Sequence, residues 1–572
     1  MTRTFSAALR QIWQEIPDQR AIILLSPGQG VEEHNAEVIS YRKLITGSAS
    51  YAQALADAGI QPGEVVVLIL QHGMELVYAF WGAILHGAIP SIMPFLTEKL
   101  SPEHYRKSLM SLFEITAPAA IITNSEFLTE VRSAVQPDSS VRAVLNTAGI
   151  PSFDESIEMF DSMRGLERKP EDIVLLQHSS GTTGLQKGVA LSHQAVFNQI
   201  ESYAQAIDLR RDDVVVSWLP LYHDMGLIAG FIMPILSRVP LVLMSPFDWV
   251  RAPYKLLQAV SQYRGTLSWL PNFAYNFCAQ KIRDRYLEGV DLSSWRAVIN
   301  CSEPMYWHSH QMFLERFQPY GLRPEALATC YAMAENVFAV TQGGIHQPVN
   351  IDRISQQAFT NQHAALPASD NEAAIDMVSA GPPIDKVSVR ILHPETRQEL
   401  PERQVGEIAL QSNCMLTAYY NRADLTTSAF YEGWYLTGDL GYMAAGEVYI
   451  TGRKKDLIIV GGKNIYPQDL ESLASEVEGV HPGRVAALGV ANETSGTDDV
   501  IIVAEVDVDD AQERQRIADQ VRSVVTKGSD VALRYVHLVE RGWLIKTSSG
   551  KVSRSANREK YLAERESTGS RG

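Results

Sequence analysis

Cysteine is scarce in this chain. Four occur among 572 residues, at Cys278, Cys301, Cys330 and Cys414, and no two stand in a C-x-x-C spacing. That excludes the commonest structural zinc and dithiol redox motifs, and so sparse a use suits a reducing, cytoplasmic setting. Basic charge is also short: 50 Lys and Arg face 66 Asp and Glu, for a formal charge of −16. The balance argues against a nucleic-acid partner and against tight binding to an anionic membrane surface. It leaves ATP open, because phosphates are held by local backbone donors and single cations rather than by net charge. Long uninterrupted apolar runs are missing. The most apolar stretch, residues 65–95, is broken by Gln71, His72, Glu75 and His86. It reads as a buried strand followed by a core helix, so no integral membrane association is expected. The N-terminus lacks the basic start and apolar core of a signal peptide. Repeats of 20–50 residues, low-complexity tracts and a Walker A spacing are absent as well.

What is present is a rhythm. VVVLIL (65–70), AAIIT (119–123), DIVLLQHSS (172–180), DVVVSWLP (213–220), VPLVLM (239–244), GTLSWL (265–270) and RAVINC (296–301) alternate with helical patterns. Near-continuously apolar strands alternating with helices predict doubly wound α/β sheets. From about residue 387 the strands shorten and alternate, which predicts a small, mostly antiparallel β unit. After Lys455 the remaining chain, with strands RVAALGV and VIIVAEVDV and helices near 468–478 and 510–527, reads as a compact α+β domain. The expected division is therefore 1–454 and 455–572.

The sharpest local signal is SSGTTGLQKGVALSH (179–193). It sets hydroxyls beside glycines after a strand and adds a cation. Glycines permit close backbone approach to a phosphate, and N–H groups, hydroxyls and Lys187 surround the anion. This run resembles the phosphate loop of the adenylate-forming, or acyl-activating, superfamily, which includes acyl-CoA synthetases, fatty acyl-AMP ligases and luciferases. The remaining motifs follow in the family's order, so the resemblance covers nearly the whole chain. It implies an ATP site at Ser180, Gly181, Thr182, Thr183, Gly184 and Lys187.

WLPLYHDMGL (218–227) reads on its residues alone as a helix entry capped by Asp224 with His223 beside it. The resemblance makes His223 the aromatic gate at the carboxylate pocket and places Met225 and Gly226 on the acyl tunnel. CSEPM (301–305) resembles the family's adenine-stacking turn, with Ser302 and Glu303 at the nucleotide and Cys301 where glycine is usual. CYAMAENVF (330–338) resembles Y-G-x-[AT]-E. It implies Tyr331 on the adenine, Glu335 as the Mg²⁺ ligand, and Ala332 where glycine is common. YLTGDLGYM (435–443) implies Asp439 on the ribose, and ITGRKKDLI (450–458) implies Arg453 as a second ribose or phosphate contact and Lys455 as the hinge. GGKNIYPQDLE (461–471) looks most like the fatty acyl-AMP ligase branch. KTSSGKVSR (546–554) implies Lys551 as the catalytic lysine, with Ile545 in place of the usual proline.

The candidate acyl wall comprises Met225, Trp269, Phe273, Tyr275 and Phe277, with Cys301 and Ala332 expected to narrow it. The implied chemistry is ATP- and Mg²⁺-dependent activation of a carboxylic, chiefly fatty, acid to an acyl-adenylate with release of pyrophosphate. The acyl group then passes to the phosphopantetheine of an acyl carrier protein. Free CoA as acceptor, or an aryl or amino acid as substrate, stays open at this stage. The interval between Glu335 and Ser379, containing VNIDRISQQAF, resembles a segment that fatty acyl-AMP ligases add here, and it favours the carrier. A carrier is commonly acidic, so the docking face must be locally basic, and Arg453 and Lys454 are the first candidates.

Overall fold

The computed structural model describes residues 3–96, 102–153, 158–179, 187–460, 463–492, 497–529, 533–547 and 550–569. Two seven-stranded sheets carry the first two-thirds of the chain. One runs in the order Leu327–Cys330, Ala297–Cys301, Leu267–Leu270, Val215–Ser217, Leu241–Leu243, Arg20–Leu25, Ala36–Ser40. Every neighbouring pair in it is parallel except the last. The other contains Val65–Ile69, with all five residues buried, between Ile89–Ile92 and Ala120–Thr123, both parallel to it. A strand buried on both faces needs no polar alternation, which is why VVVLI reads as a continuous apolar run. Helix Met74–His86 packs over it and stops at Gly87, whose φ of +88° provides the left-handed cap. No helix among the described residues is long and apolar enough to cross a membrane.

The second sheet departs from a purely parallel reading at one edge. Ile173–Ser179 pairs antiparallel with Lys187–Ser192, register partners Ser179 and Lys187 closing the interval 180–186. The hydroxyl- and glycine-rich segment thus joins two paired strands. The helix His193–Ala206 begins only after the second, capped by Ser192 accepting from Ala195 N–H.

The small β unit is antiparallel, as its shorter alternating strands predict. Val387–Leu392, Gly406–Ser412 and Trp434–Ala444 lie in sequence, and Glu447–Arg453 pairs with the last of these. Ala445 and Gly446, both at positive φ, make the two-residue turn between them. That tight turn sets the register as far as Gly441 opposite Ile450, and a bulge at Thr451 then shifts it by one residue and places Asp439 opposite Arg453. Beyond a short 3₁₀ turn, Lys454–Asp456, the strands Val480–Asn492, Thr497–Val506 and Leu533–Val539 form a three-stranded sheet. Helices Pro467–Ser475, Ala511–Ser529 and Arg554–Gly569 accompany it. Its core, built from Ile458, Leu470, Val500, Ile517 and Val521 among others, is separate from the large core.

Candidate active site

Parallel α/β sheets gather ligands outside the carboxyl ends of their strands. The ends of Val215–Ser217, Leu267–Leu270, Ala297–Cys301 and Leu327–Cys330 lead straight into Trp218, Pro271, Ser302 and Tyr331. Three of the sequence motifs and the acyl-wall segment therefore open on one rim of one sheet.

Lys551 reaches this rim from the C-terminal sheet's side. Its turn is closed by a bridge between Lys546 and Val552 and by Thr547 N–H donating to Lys551 O at 2.8 Å. Burial, then the neighbouring Arg453 guanidinium, push the Lys551 ammonium below the ordinary lysine range; Glu303, Asp224 and Cys301 act in the opposite sense. One half-buried ammonium thus senses residues from three other motifs, the farthest more than three hundred positions away in the sequence. His223 Nδ1 lies 2.6 Å from Asp224 Oδ1, and Asp224 also accepts from Met225 N–H at 2.8 Å. Burial alone would raise the Asp224 carboxyl, but His223, Lys551 and the Met225 N–H outweigh it and hold the group below its usual range. Asp224 is therefore a cap, as its local sequence suggests, and also an anion facing Lys551.

Glu303 accepts from Phe273 N–H at 2.9 Å, at the first turn of helix Asn272–Lys281, where a carboxylate meets the positive helix end. Ser302 takes φ +70°, an uncommon conformation for a non-glycine residue, and its hydroxyl lies 3.6 Å from Cys301 Sγ and 3.9 Å from Met225 Sδ. On the nucleotide side, Tyr331 O–H donates to Asp439 Oδ2 at 2.6 Å, and Arg453 Nε donates to Oδ1 at 3.1 Å. Both carboxylate oxygens are thereby fixed in place, and Asp439 is the chief cause of a raised Arg453. Ala332 is half-buried and bridges Ala339 across a short turn.

Glu335 sits in the 3₁₀ turn Ala334–Asn336 and accepts from Tyr419 O–H at 2.8 Å. With that proton committed, Tyr435 donates to Tyr419, also at 2.8 Å. Burial raises the Glu335 carboxyl, while Tyr419 and the Lys187 ammonium work against it. Lys187 Nζ stands 4.7 Å from the centre of the Tyr419 ring, a cation–π distance. Tyr419 was not legible as a site residue: it lies 84 positions from Glu335 with no motif of its own. No cluster of three or more His, Cys, Asp or Glu among the described residues is placed to hold a metal by itself. One buried carboxylate near the Lys187 ammonium nevertheless fits Mg²⁺, which keeps waters and takes substrate phosphates alongside one or two carboxylates. Ser180, Gly181, Thr182, Thr183 and Gly184 lie outside the described residues.

The acyl-wall candidates divide. Phe273 and Phe277, one helical turn apart, face the stacked pair Trp218 and Trp249, whose rings are 3.6 Å apart. Tyr275 points the other way, buried, donating to Val298 O and stacked on His310. Trp269 donates to Tyr203 O–H at 2.7 Å within the core. Met225 and Gly226 begin a π-helical stretch, Met225–Ile232. A Cβ on Gly226 would meet Pro220 O at 2.3 Å, so this position requires glycine for backbone approach. Lys455 lies in the connecting turn, its ammonium lowered by burial and by Arg453. Arg453 and Lys454, the first docking candidates, are both engaged: Lys454 Nζ donates to Pro394 O and to Glu407.

The C-terminal part is clamped onto the rest at named contacts. Tyr306 O–H donates to Gln468 O at 3.3 Å and the Gln468 side-chain amide donates to Thr451 O, while Arg554 ties Asp456 to Glu471 at 2.6–2.8 Å within the C-terminal part itself. Asp469 lies beside this contact with surface still open to solvent, and the protein packed around its carboxyl, then Glu471, push it up to about 7. A raised acid binds its proton more tightly here than in the unfolded chain. Its stabilisation is complete below the unfolded value near 4 and is lost as pH rises through 7. Asp469→Asn is expected to gain melting temperature over wild type as pH rises from about 4 to 7, with a constant gap above. A gap that does not change across that window would remove this assignment.

The chain as a whole has counterparts among known proteins. Residues 9–420 match the family model described as AMP-binding enzyme, and the chain belongs to that family. It is 31% identical, over 93% of its length and 91% of the relative's, to the medium-chain-fatty-acid–[acyl-carrier-protein] ligase JamA of Moorena producens. It is 30% identical, over 98% of both chains, to the long-chain-fatty-acid–AMP ligase FadD26 of Mycobacterium bovis. Among solved structures, one from a study of fatty acyl-adenylate ligases of E. coli and L. pneumophila superposes with a TM-score of 0.88 at 26% identity. That superposition spans 99% of this chain and 98% of the other.

Proposed function

We propose that this chain is a fatty acyl-AMP ligase. It joins a fatty carboxylate to the α-phosphate of ATP, releasing pyrophosphate, and passes the acyl group to the phosphopantetheine thiol of a carrier protein, releasing AMP and a proton. The observation that carries the reading is the half-buried Lys551 ammonium within electrostatic reach of Asp224, Glu303 and Arg453 at the rim where the strands end. The substrate carboxylate is already ionised at neutral pH, so the first step needs placement and charge neutralisation more than a general base. Lys551 meets the attacking oxygen and the α-phosphate. His223, fixed by Asp224, borders the carboxylate end. Asp439, oriented by Tyr331 and Arg453, holds the ribose. Glu335 would hold Mg²⁺, which neutralises phosphate charge when bound. Lys455, between two independent cores, is the position about which residues 455–572 rotate between the two half-reactions.

The acceptor follows from the interval after Glu335. Ile351–Ser355 and Ala374–Val378 form a two-stranded ribbon carrying helix Gln356–Gln362. Asp352 anchors it to Arg403 and Tyr442. From it, Phe359 stacks on Tyr466 at 5.2 Å and Gln356 donates to Gly528 O at 3.0 Å. Both contacts must break before the C-terminal part rotates, which favours an acceptor that brings its own binding energy over free CoA. The test offers CoA and holo-carrier protein separately once an acid releases pyrophosphate. Transfer to the carrier alone supports the reading, and equal transfer to CoA removes the carrier preference. Cys301 and Ala332 add bulk where the family has glycine, so an eight-carbon acid is expected to turn over faster than a sixteen-carbon one. Equal pyrophosphate release from the two would overturn the narrow-tunnel reading.

A further inference from the structure

Resting on the carrier-protein reading, we propose that the face formed by Arg251, Lys281, Arg283 and Arg285 around Val250 and Phe277 is the docking surface for an acidic carrier protein. The four cations are exposed and make no ion pair among the described residues, on a chain whose formal charge is −16. The acidic residues beside them are committed elsewhere. Asp284 is taken by Arg316, and Asp248 is buried against Lys255 at 2.6 Å. Arg285 lies over the Tyr286 ring, which stacks on Tyr254 at 4.0 Å, so the guanidinium is held on the surface without being neutralised.

The cations rim a cleft of about 410 Å³ whose floor includes Phe277 and Val250. Val250 is 53% exposed and Phe273, nearby, 43%. A basic rim around exposed apolar side chains suits an acidic helical partner: the charges steer the encounter and the apolar floor retains it. The surface is also continuous with the chemistry. Phe277 packs on Trp249 at 5.5 Å, Trp249 on Phe273 at 6.0 Å, and Phe273 N–H donates to Glu303, which faces Lys551. A thiol arm delivered from this face enters beside the adenylate. Arg453 and Lys454 cannot serve the same purpose, since Asp439 and Glu407 already neutralise them.

The test uses the full-length enzyme and an acidic holo-carrier protein, with the double variants Arg251→Glu/Lys281→Glu and Arg283→Glu/Arg285→Glu. Acid-dependent ATP–pyrophosphate exchange and transfer to free pantetheine are expected to stay at wild-type rates. KM for the carrier is expected to rise about tenfold or more, with a weakened salt dependence and recovery by acid-to-lysine changes in the carrier. Arg283→Gln/Arg285→Gln is expected to move KM in the same direction by less. An unchanged carrier KM, an equal loss with free CoA, or loss of exchange in both the Glu and Gln variants overturns the proposal. If wild type forms acyl-AMP yet charges no acidic carrier, the acceptor reading fails and this surface with it. If it charges the carrier and reversal does nothing, the surface alone fails.

Discussion

Lys551→Ala is expected to lower acyl-adenylate formation by about 10²–10³-fold while sparing thiol transfer from supplied acyl-AMP. The size follows from losing one preorganised charge aimed where negative charge develops. The asymmetry follows from position. Lys551 is held at the rim near Asp224, Glu303 and Arg453 only while the C-terminal part stays docked through Tyr306, Phe359 and Gln356. Lys551→Arg is not a conservative rescue, because a planar fork replaces a point charge in a half-buried space. Pyrophosphate release reads the first half-reaction and acyl-thioester formation from synthetic acyl-AMP reads the second. Equal loss in both would show that Lys551 serves the fold or both steps.

Glu335→Gln is expected to be nearly as severe, about 10²-fold or more in adenylation, with little change in melting temperature. Glutamine keeps an oxygen for the Tyr419 hydroxyl, so the Tyr419–Tyr435 chain survives. What disappears is the charge. Burial already disfavours an ionised Glu335, and Lys187 is the nearby cation that helps to hold it. A divalent cation and its phosphates are the partners that make a buried carboxylate worth keeping. The Mg²⁺ concentration needed for half-maximal exchange should rise in the variant. A variant with wild-type rate and wild-type Mg²⁺ dependence would remove Glu335 from the metal site. A large fall in melting temperature would assign it to the tyrosine network instead.

Much of this was legible in the sequence because the site is assembled from strand ends. A strand such as Val65–Ile69 announces itself by apolar continuity, and a turn such as CSEPM by the residues that follow a strand. What the sequence could not display is what the topology brings together. Tyr419 has no motif, and it becomes a site residue only because its short strand pairs with Lys187–Ser192. Asp224 carries a local cap signal that hides its electrostatic partner in Lys551. Phe273, Tyr275 and Phe277 look equivalent as aromatics on one helix, but a 100° step per residue sends Tyr275 to the core and the other two toward Trp218 and Trp249. The hinge cations Arg453 and Lys454 look free in a charge run, and only the register of the small β unit shows them paired with Asp439 and Glu407.

Everything above turns on AMP-forming activation of a fatty acid at this rim. Its most direct measurement is acid-dependent exchange of labelled pyrophosphate into ATP, with nucleotide products resolved, for fatty, aryl and amino acids in parallel. Exchange with fatty acids and AMP as the nucleotide product are expected, both lowered by about 10²–10³-fold in Lys551→Ala. Exchange driven only by amino acids, or ADP in place of AMP, would contradict it.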